Sequence, residues 1–200
     1  MPNRLAVLLA LFMAGCSSTA GVNTTAAIGP SKVTSDPVRM DSRGVAFPPP
    51  AFKSFCAHEP RLCGSTGSKK SVTLTPGRRA ELESVNVAVN RRISEVSDRQ
   101  SVGKDDDWRL PTTSGDCEDI AILKKAELMK RGWPASVLLL TVARSGGEGH
   151  VVLTVRTDKG DLVLDNQTNA IRDWSRSPYR YFARQSQSQH GKWERIGKSS

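Results

Sequence analysis

Apolar positions recur along this chain with two spacings, one helical and one strand-like. Leu82, Val85, Val87, Val89 and Ile93 form a partly helical stripe. Pro76 sits at a first helical position, and Glu81 and Glu83 fall early in the run. The pattern predicts a helix that opens near Thr75-Pro76 and ends before Asp98. A second helix is predicted from Cys117 to Lys130, stopped by Gly132 and Pro134. From there the spacing becomes strand-like, over residues 136–143, 150–156 and 161–165. Thr157-Asp158-Lys159-Gly160 reads as a hairpin turn between the last two runs. The tail, with Tyr179, Tyr181, Phe182 and Trp193, predicts a final strand.

The first 45 residues follow neither spacing. Arg4 precedes the apolar run from Leu5 to Met13, which is shorter than the roughly 20 residues a membrane span needs. Met13-Ala14-Gly15-Cys16 then resembles a lipobox, so residues 1–16 read as a lipoprotein-type signal peptide with Cys16 as the lipidated residue. Ordinary signal cleavage near Ala20 is the alternative; either implies export. Residues 17–45 are rich in Ser, Thr, Gly and Ala and read as a flexible tether. Residues 46–200 then form one domain, expected in the periplasm and anchored by lipid to the outer membrane.

Composition narrows the partners. The 200 residues carry a formal charge of +9. Lys and Arg are scattered, and no nucleic-acid-binding motif is present. A solvated basic surface facing anionic envelope components fits better than nucleic acid.

Export gives the four cysteines a meaning, because thiols in an oxidising compartment tend to pair. With Cys16 lipidated, Cys56 and Cys63 can close a short local loop, which leaves Cys117 alone. Pairing of Cys117 with Cys56 or Cys63 would instead make it structural. Cys56, His58 and Cys63 also resemble part of a zinc site, but a fourth ligand is not evident.

A lone thiol at the start of a helix is placed where partial positive charge favours thiolate. His150 opens one strand-like run and Asp165 closes the next. If Thr157 pairs with Gly160, His150 lies opposite Gln167, and Asp165 sits diagonally from His150 on the same face. One residue more or fewer in the turn would move Asp165 to the other face. Cys117 would attack a carbonyl, His150 would pair with the thiolate and protonate the leaving amine, and Asp165 would orient the imidazole. Each residue also has an ordinary structural use; their joint order and placement favour catalysis. Against it stand Asp116, Glu118 and Asp119, whose charges raise the pKa of a neighbouring thiol. Either Asp116 and Asp119 cap the helix, or a bound cation neutralises the cluster, and oxygen ligands favour calcium.

Taken together, these residues resemble the bacterial transglutaminase-like cysteine proteinases. The resemblance rests on Val89-Asn90-Arg91-Arg92-Ile93, Trp108 and Pro111. It continues through Gly115-Asp116-Cys117-Glu118-Asp119, Gly132-Trp133-Pro134, Gly149-His150-Val151-Val152-Leu153 and Leu164-Asp165-Asn166. It implies an α+β fold with a papain-like, transglutaminase-like core. The nucleophile then lies at a helix N-terminus packed on an antiparallel sheet that carries the His and the Asp. It implies a cysteine endopeptidase with Cys117, His150 and Asp165 as its triad. It also implies calcium bound through Asp116 and Glu118, with Asp119 adjacent. The substrate class it implies is a large surface adhesin, and the regulator an inner-membrane cyclic-di-GMP receptor. Acyl transfer to an amine uses the same triad, and a non-catalytic envelope lipoprotein with a retained fold is the reading outside enzymology. Asn90 and Trp108 could line the cleft, but core positions suit them better.

Overall fold

The computed structural model describes residues 37–197. In chain order the elements are β1 (Asp41–Ala46), α1 (Phe52–His58), α2 (Pro60–Cys63), α3 (Pro76–Arg92), β2 (Ser94–Glu95), α4 (Asp98–Ser101) and β3 (Ser114–Gly115). They continue with α5 (Cys117–Lys130), β4 (Leu138–Ser145), β5 (Glu148–Thr157), β6 (Gly160–Leu164), β7 (Arg172–Asp173), β8 (Arg180–Gln185) and β9 (Trp193–Gly197). Seven strands form one sheet in the order β1-β9-β8-β4-β5-β6-β7, with antiparallel neighbours throughout. β2 and β3 make a separate short parallel pair. This is an α+β architecture, as the sequence implied.

The local signals explain the helices that were expected. Thr75 caps α3, its hydroxyl accepting from the Arg78 N–H at 3.2 Å, and Pro76 fills the first turn, where no N–H is needed. Leu82, Val85 and Val89 are buried, whereas Val87 falls on the opposite side of the helix and is exposed. α5 is different: every residue from Glu118 to Ala126 is buried, so it is the central helix rather than an amphipathic surface one. It packs on β4 and β5 on one side and on α3 on the other.

Apolar side chains cover both faces of the sheet. The helical face carries Leu138, Leu140, Leu153, Val155, Leu162 and Leu164 beneath α5, within a core that also holds Phe52, Phe55, Trp108 and Trp193. Phe52 meets Trp193 edge-on at 5.1 Å and Trp108 at 5.7 Å between centroids, which ties the loop before β3 to the last strand. Trp108 is thus a core residue. The other face is covered more thinly, by Met40, Val152, Val163, Trp174, Tyr181 and Ile196. Cys56 and Cys63 form a disulfide that joins α1 to α2, the local pairing expected from their spacing.

The expected tether of residues 17–45 runs into this sheet. Residues 41–45 belong to β1, which pairs with β9, and Met40 is buried with its N–H bonded to Asp161 Oδ2 at 2.8 Å. An edge strand contributes backbone hydrogen bonds and can keep polar side chains, so Asp41, Ser42 and Arg43 gave no apolar signal. The tail likewise forms two strands, β8 and β9, instead of one. The signal segment 1–16, Cys16 and the tether before residue 37 lie outside the described residues.

The β5–β6 hairpin adopts the register its turn required. Thr157 pairs with Gly160, Arg156 with Asp161 and Leu153 with Leu164. The Thr157 hydroxyl donates to the Gly160 carbonyl at 2.7 Å and accepts from the Lys159 N–H at 3.1 Å. Gly160 has φ +116°, and a Cβ there would meet the Val38 carbonyl oxygen at 2.8 Å. No other residue suits both constraints.

Candidate active site

Cys117 is the first residue of α5, half-buried, and the free thiol among the described residues. Its sulfur faces the backbone N–H of Val151, the residue after His150. The β6 ladder ends at Leu164, so on that side β5 has no strand partner at Val151, which pairs with Val142 of β4 on the other. The thiol donates to Glu118 Oε2 at 3.1 Å. Burial, then the Glu118 charge and this hydrogen bond, push the thiol pKa well above its ordinary value. In this arrangement Cys117 is a protonated thiol.

His150 lies on β5 opposite Ala143, and Asp165 follows the last residue of β6. Both are 3 % exposed, and His150 Nε2 is 2.9 Å from Asp165 Oδ1. The even turn therefore brings the two side chains together. With Nε2 engaged, Nδ1 is the ring nitrogen left for the thiol. Burial works against the Asp165 carboxylate, but hydrogen bonds from His150, Tyr179 and the Gln167 N–H outweigh it and hold its pKa below the usual range. Asp165 is thus an anion, suited to stabilising an imidazolium.

Two further side chains support this pair. Asn90 on α3 donates through Nδ2 to the Asp165 carbonyl at 2.9 Å and to the Thr168 carbonyl at 3.2 Å. It is neither core nor cleft but a strut under the 165–169 loop. The Tyr179 hydroxyl donates to Asp165 Oδ2, and its ring packs on His150 with centroids 5.0 Å apart. Tyr179 sits outside any periodic run, in an aromatic tail whose pairing is set at long range.

The carboxylates around Cys117 divide into two groups. Asp116, at the N-cap of α5, makes no side-chain capping bond; its Oδ2 accepts from the Asp98 N–H at 3.2 Å. Asp98, Asp116 and Glu118 each bring one oxygen to within 4.8 Å of the others. Asp119, expected in this group, instead accepts from the Arg109 N–H at 2.9 Å and pairs with the Arg109 guanidinium at 3.4 Å. Gly115 makes room for it, since a Cβ there would meet Asp119 Oδ2 at 2.6 Å. Asp98, contributed by α4 at a separation of 18 residues from Asp116, takes its place, which no local spacing could announce.

This trio fits a hard divalent cation. Asp98 Oδ1 and Asp116 Oδ1 are buried without hydrogen-bond partners, although Arg109 Nη1 lies 3.3 Å from the former as an ion pair. Burial and the nearby Asp116 charge push Glu118 up to about 8, and burial and Asp98 raise Asp116. Buried carboxyls that repel one another are what an oxygen-seeking cation relieves.

Over residues 42–200 the chain matches the family described as bacterial transglutaminase-like cysteine proteinase. Among solved structures it is similar to calcium-bound Legionella pneumophila LapG, with 25 % identity over 76 % of this chain and 86 % of that one and a TM-score of 0.52. LapG of the same organism without a stated ligand shares 26 % identity (68 % and 74 % coverage, TM-score 0.49), and the EGTA-treated form 27 % (68 % and 74 %, TM-score 0.48). No curated protein matches.

Proposed function

Because the chain belongs to the bacterial transglutaminase-like cysteine proteinases and is, like them, a cysteine peptidase, we propose that Cys117, His150 and Asp165 carry its cleavage of protein substrates. The observation that carries this reading is the buried His150–Asp165 pair, next in sequence to the Val151 N–H that the helix-terminal Cys117 thiol faces. His150 Nδ1 takes the Cys117 proton, and the thiolate attacks the scissile carbonyl. His150 then protonates the leaving amine, and water, deprotonated by the same imidazole, hydrolyses the acyl-enzyme. Asp165 fixes the ring and stabilises its charged form throughout.

The Glu118 carboxylate must leave the thiol for this to proceed. We place calcium in the Asp98–Asp116–Glu118 trio, where its charge would offset the carboxylates crowding Cys117. A surface adhesin as the substrate and a cyclic-di-GMP receptor as the regulator are the finer form of this reading, supported by the motif likeness. Cys117→Ala is expected to abolish proteolysis of a cognate substrate while the melting temperature stays within a degree or two of wild type. Normal cleavage by that variant would refute the mechanism. Analysis of the products for new N-termini, against incorporated amine, separates hydrolysis from acyl transfer.

A further inference from the structure

Resting on that catalytic reading, we infer that Tyr179 is a positioning residue for the His150–Asp165 pair, acting through the second oxygen of the carboxylate. Asp165 Oδ1 is taken by His150 Nε2 and, at 3.2 Å, by the Gln167 N–H. That leaves Oδ2, and Tyr179 is the donor on it. A carboxylate held at one oxygen can still swing about its Cβ–Cγ bond; held at both, its plane is fixed, and with it the ring that Oδ1 orients.

The hydroxyl also has a choice. Gln167 Oε1 lies 3.2 Å away, but a phenol has one hydrogen, and the charged, nearer Asp165 oxygen takes it. Burial and the Asp165 hydrogen bond both raise the Tyr179 pKa, so the phenol stays a donor. The ring adds a second constraint. It leans on the imidazole at an interplanar angle of 59° and meets Tyr181 edge-on at 6.2 Å. The pair it contacts is buried, and exclusion of water strengthens the Nε2–Oδ1 hydrogen bond. The other ionisable groups that act on Asp165 are Lys124 from α5 and Tyr181 from β8, and Arg172 of β7 acts on Tyr179. Neither Lys124 nor Tyr181 is hydrogen-bonded to the carboxylate, so the fixing of Oδ2 falls to Tyr179.

The test needs no substrate. The full chain, in calcium-containing buffer, is treated with iodoacetamide, and the labelling rate at Cys117 is read by peptide mass spectrometry. Wild type is compared with His150→Ala, Asp165→Asn, Tyr179→Phe and the Tyr179→Phe/Asp165→Asn double variant. Tyr179→Phe keeps the ring and loses the hydroxyl. It is expected to slow labelling about tenfold, the scale of one hydrogen bond to a charged group. In the double variant the hydroxyl has lost its anionic partner, so labelling should be no slower than in Asp165→Asn alone. A role in general stability would give additive losses. If Tyr179→Phe labels at the wild-type rate, or its loss adds to that of Asp165→Asn, the assignment is wrong. If His150→Ala labels as fast as wild type, the catalytic reading itself has failed, and the Tyr179 role with it.

Discussion

At the scale of single residues, the acidic side chains around Cys117 have separable jobs. Asp98 joins Asp116 and Glu118, whereas Asp119 is committed to Arg109. A cation that binds only the folded chain stabilises it by mass action, about 2.7 kcal/mol at a hundred times its dissociation constant. Calcium is therefore expected to raise the melting temperature of wild type and of Asp119→Asn, and EGTA to reverse the rise. Asp98→Asn should lose most of that calcium-dependent shift. An unchanged shift in Asp98→Asn, measured by differential scanning calorimetry, would exclude Asp98 as a ligand. Lys124 shows the opposite problem, a buried cation. Its ammonium is fully buried, has no hydrogen-bond partner among the described residues, and is pushed by burial down to about 7, with Asp165 opposing. The unfolded chain, with a lysine near pKa 10.4, holds more protons between those two values, so stability rises with pH across that window. Below about pH 7 the lysine is charged in both states and the full burial penalty stands. Lys124→Met should be more stable than wild type at about pH 6, and the gap should close towards pH 10. Urea melts at stepped pH would show it, and a constant gap would mean the lysine is charged throughout.

At the scale of elements, the β5–β6 hairpin decides whether His150 can meet Asp165. Its turn leaves only Asp158 and Lys159 between the paired Thr157 and Gly160. One glycine inserted between Asp158 and Lys159 should drop Cys117 labelling to the His150→Ala level, whereas two inserted glycines should restore much of it. Equal labelling in both insertions would mean that the 165–169 loop, held by Asn90, sets the position of Asp165 by itself. This hairpin was legible in the sequence because its signals are local: a turn of set length between two apolar runs. The end of α5 was legible for the same reason, since Gly132 and Pro134 lie just beyond it. The Cys56–Cys63 bond also follows from a short spacing.

At the scale of the whole molecule, what stayed hidden is what only the assembled fold brings together. Asp98 reaches Asp116 through the short β2–β3 pairing that holds the loop before α5. Tyr179 reaches Asp165 because β8 lies beside β4 and not beside its sequence neighbour β7. β1 carried no apolar signal because its contribution is made by backbone atoms along the sheet edge. That same strand has a topological consequence. Asp41, the first residue of β1, pairs with Gly197, the last of β9, so the first and last strands in chain order adjoin, about 4.8 Å apart. In connectivity the fold is almost a ring. Cys117, His150 and Asp165 all fall within one unbroken stretch, far along the chain from that seam. A circular permutant that joins β9 to residue 37 through a linker, so that Val38 and Met40 keep their places against Gly160 and Asp161, and opens the chain at the exposed residues 188–190 would close the seam. It would leave the stretch of chain that carries Cys117, His150 and Asp165 unbroken.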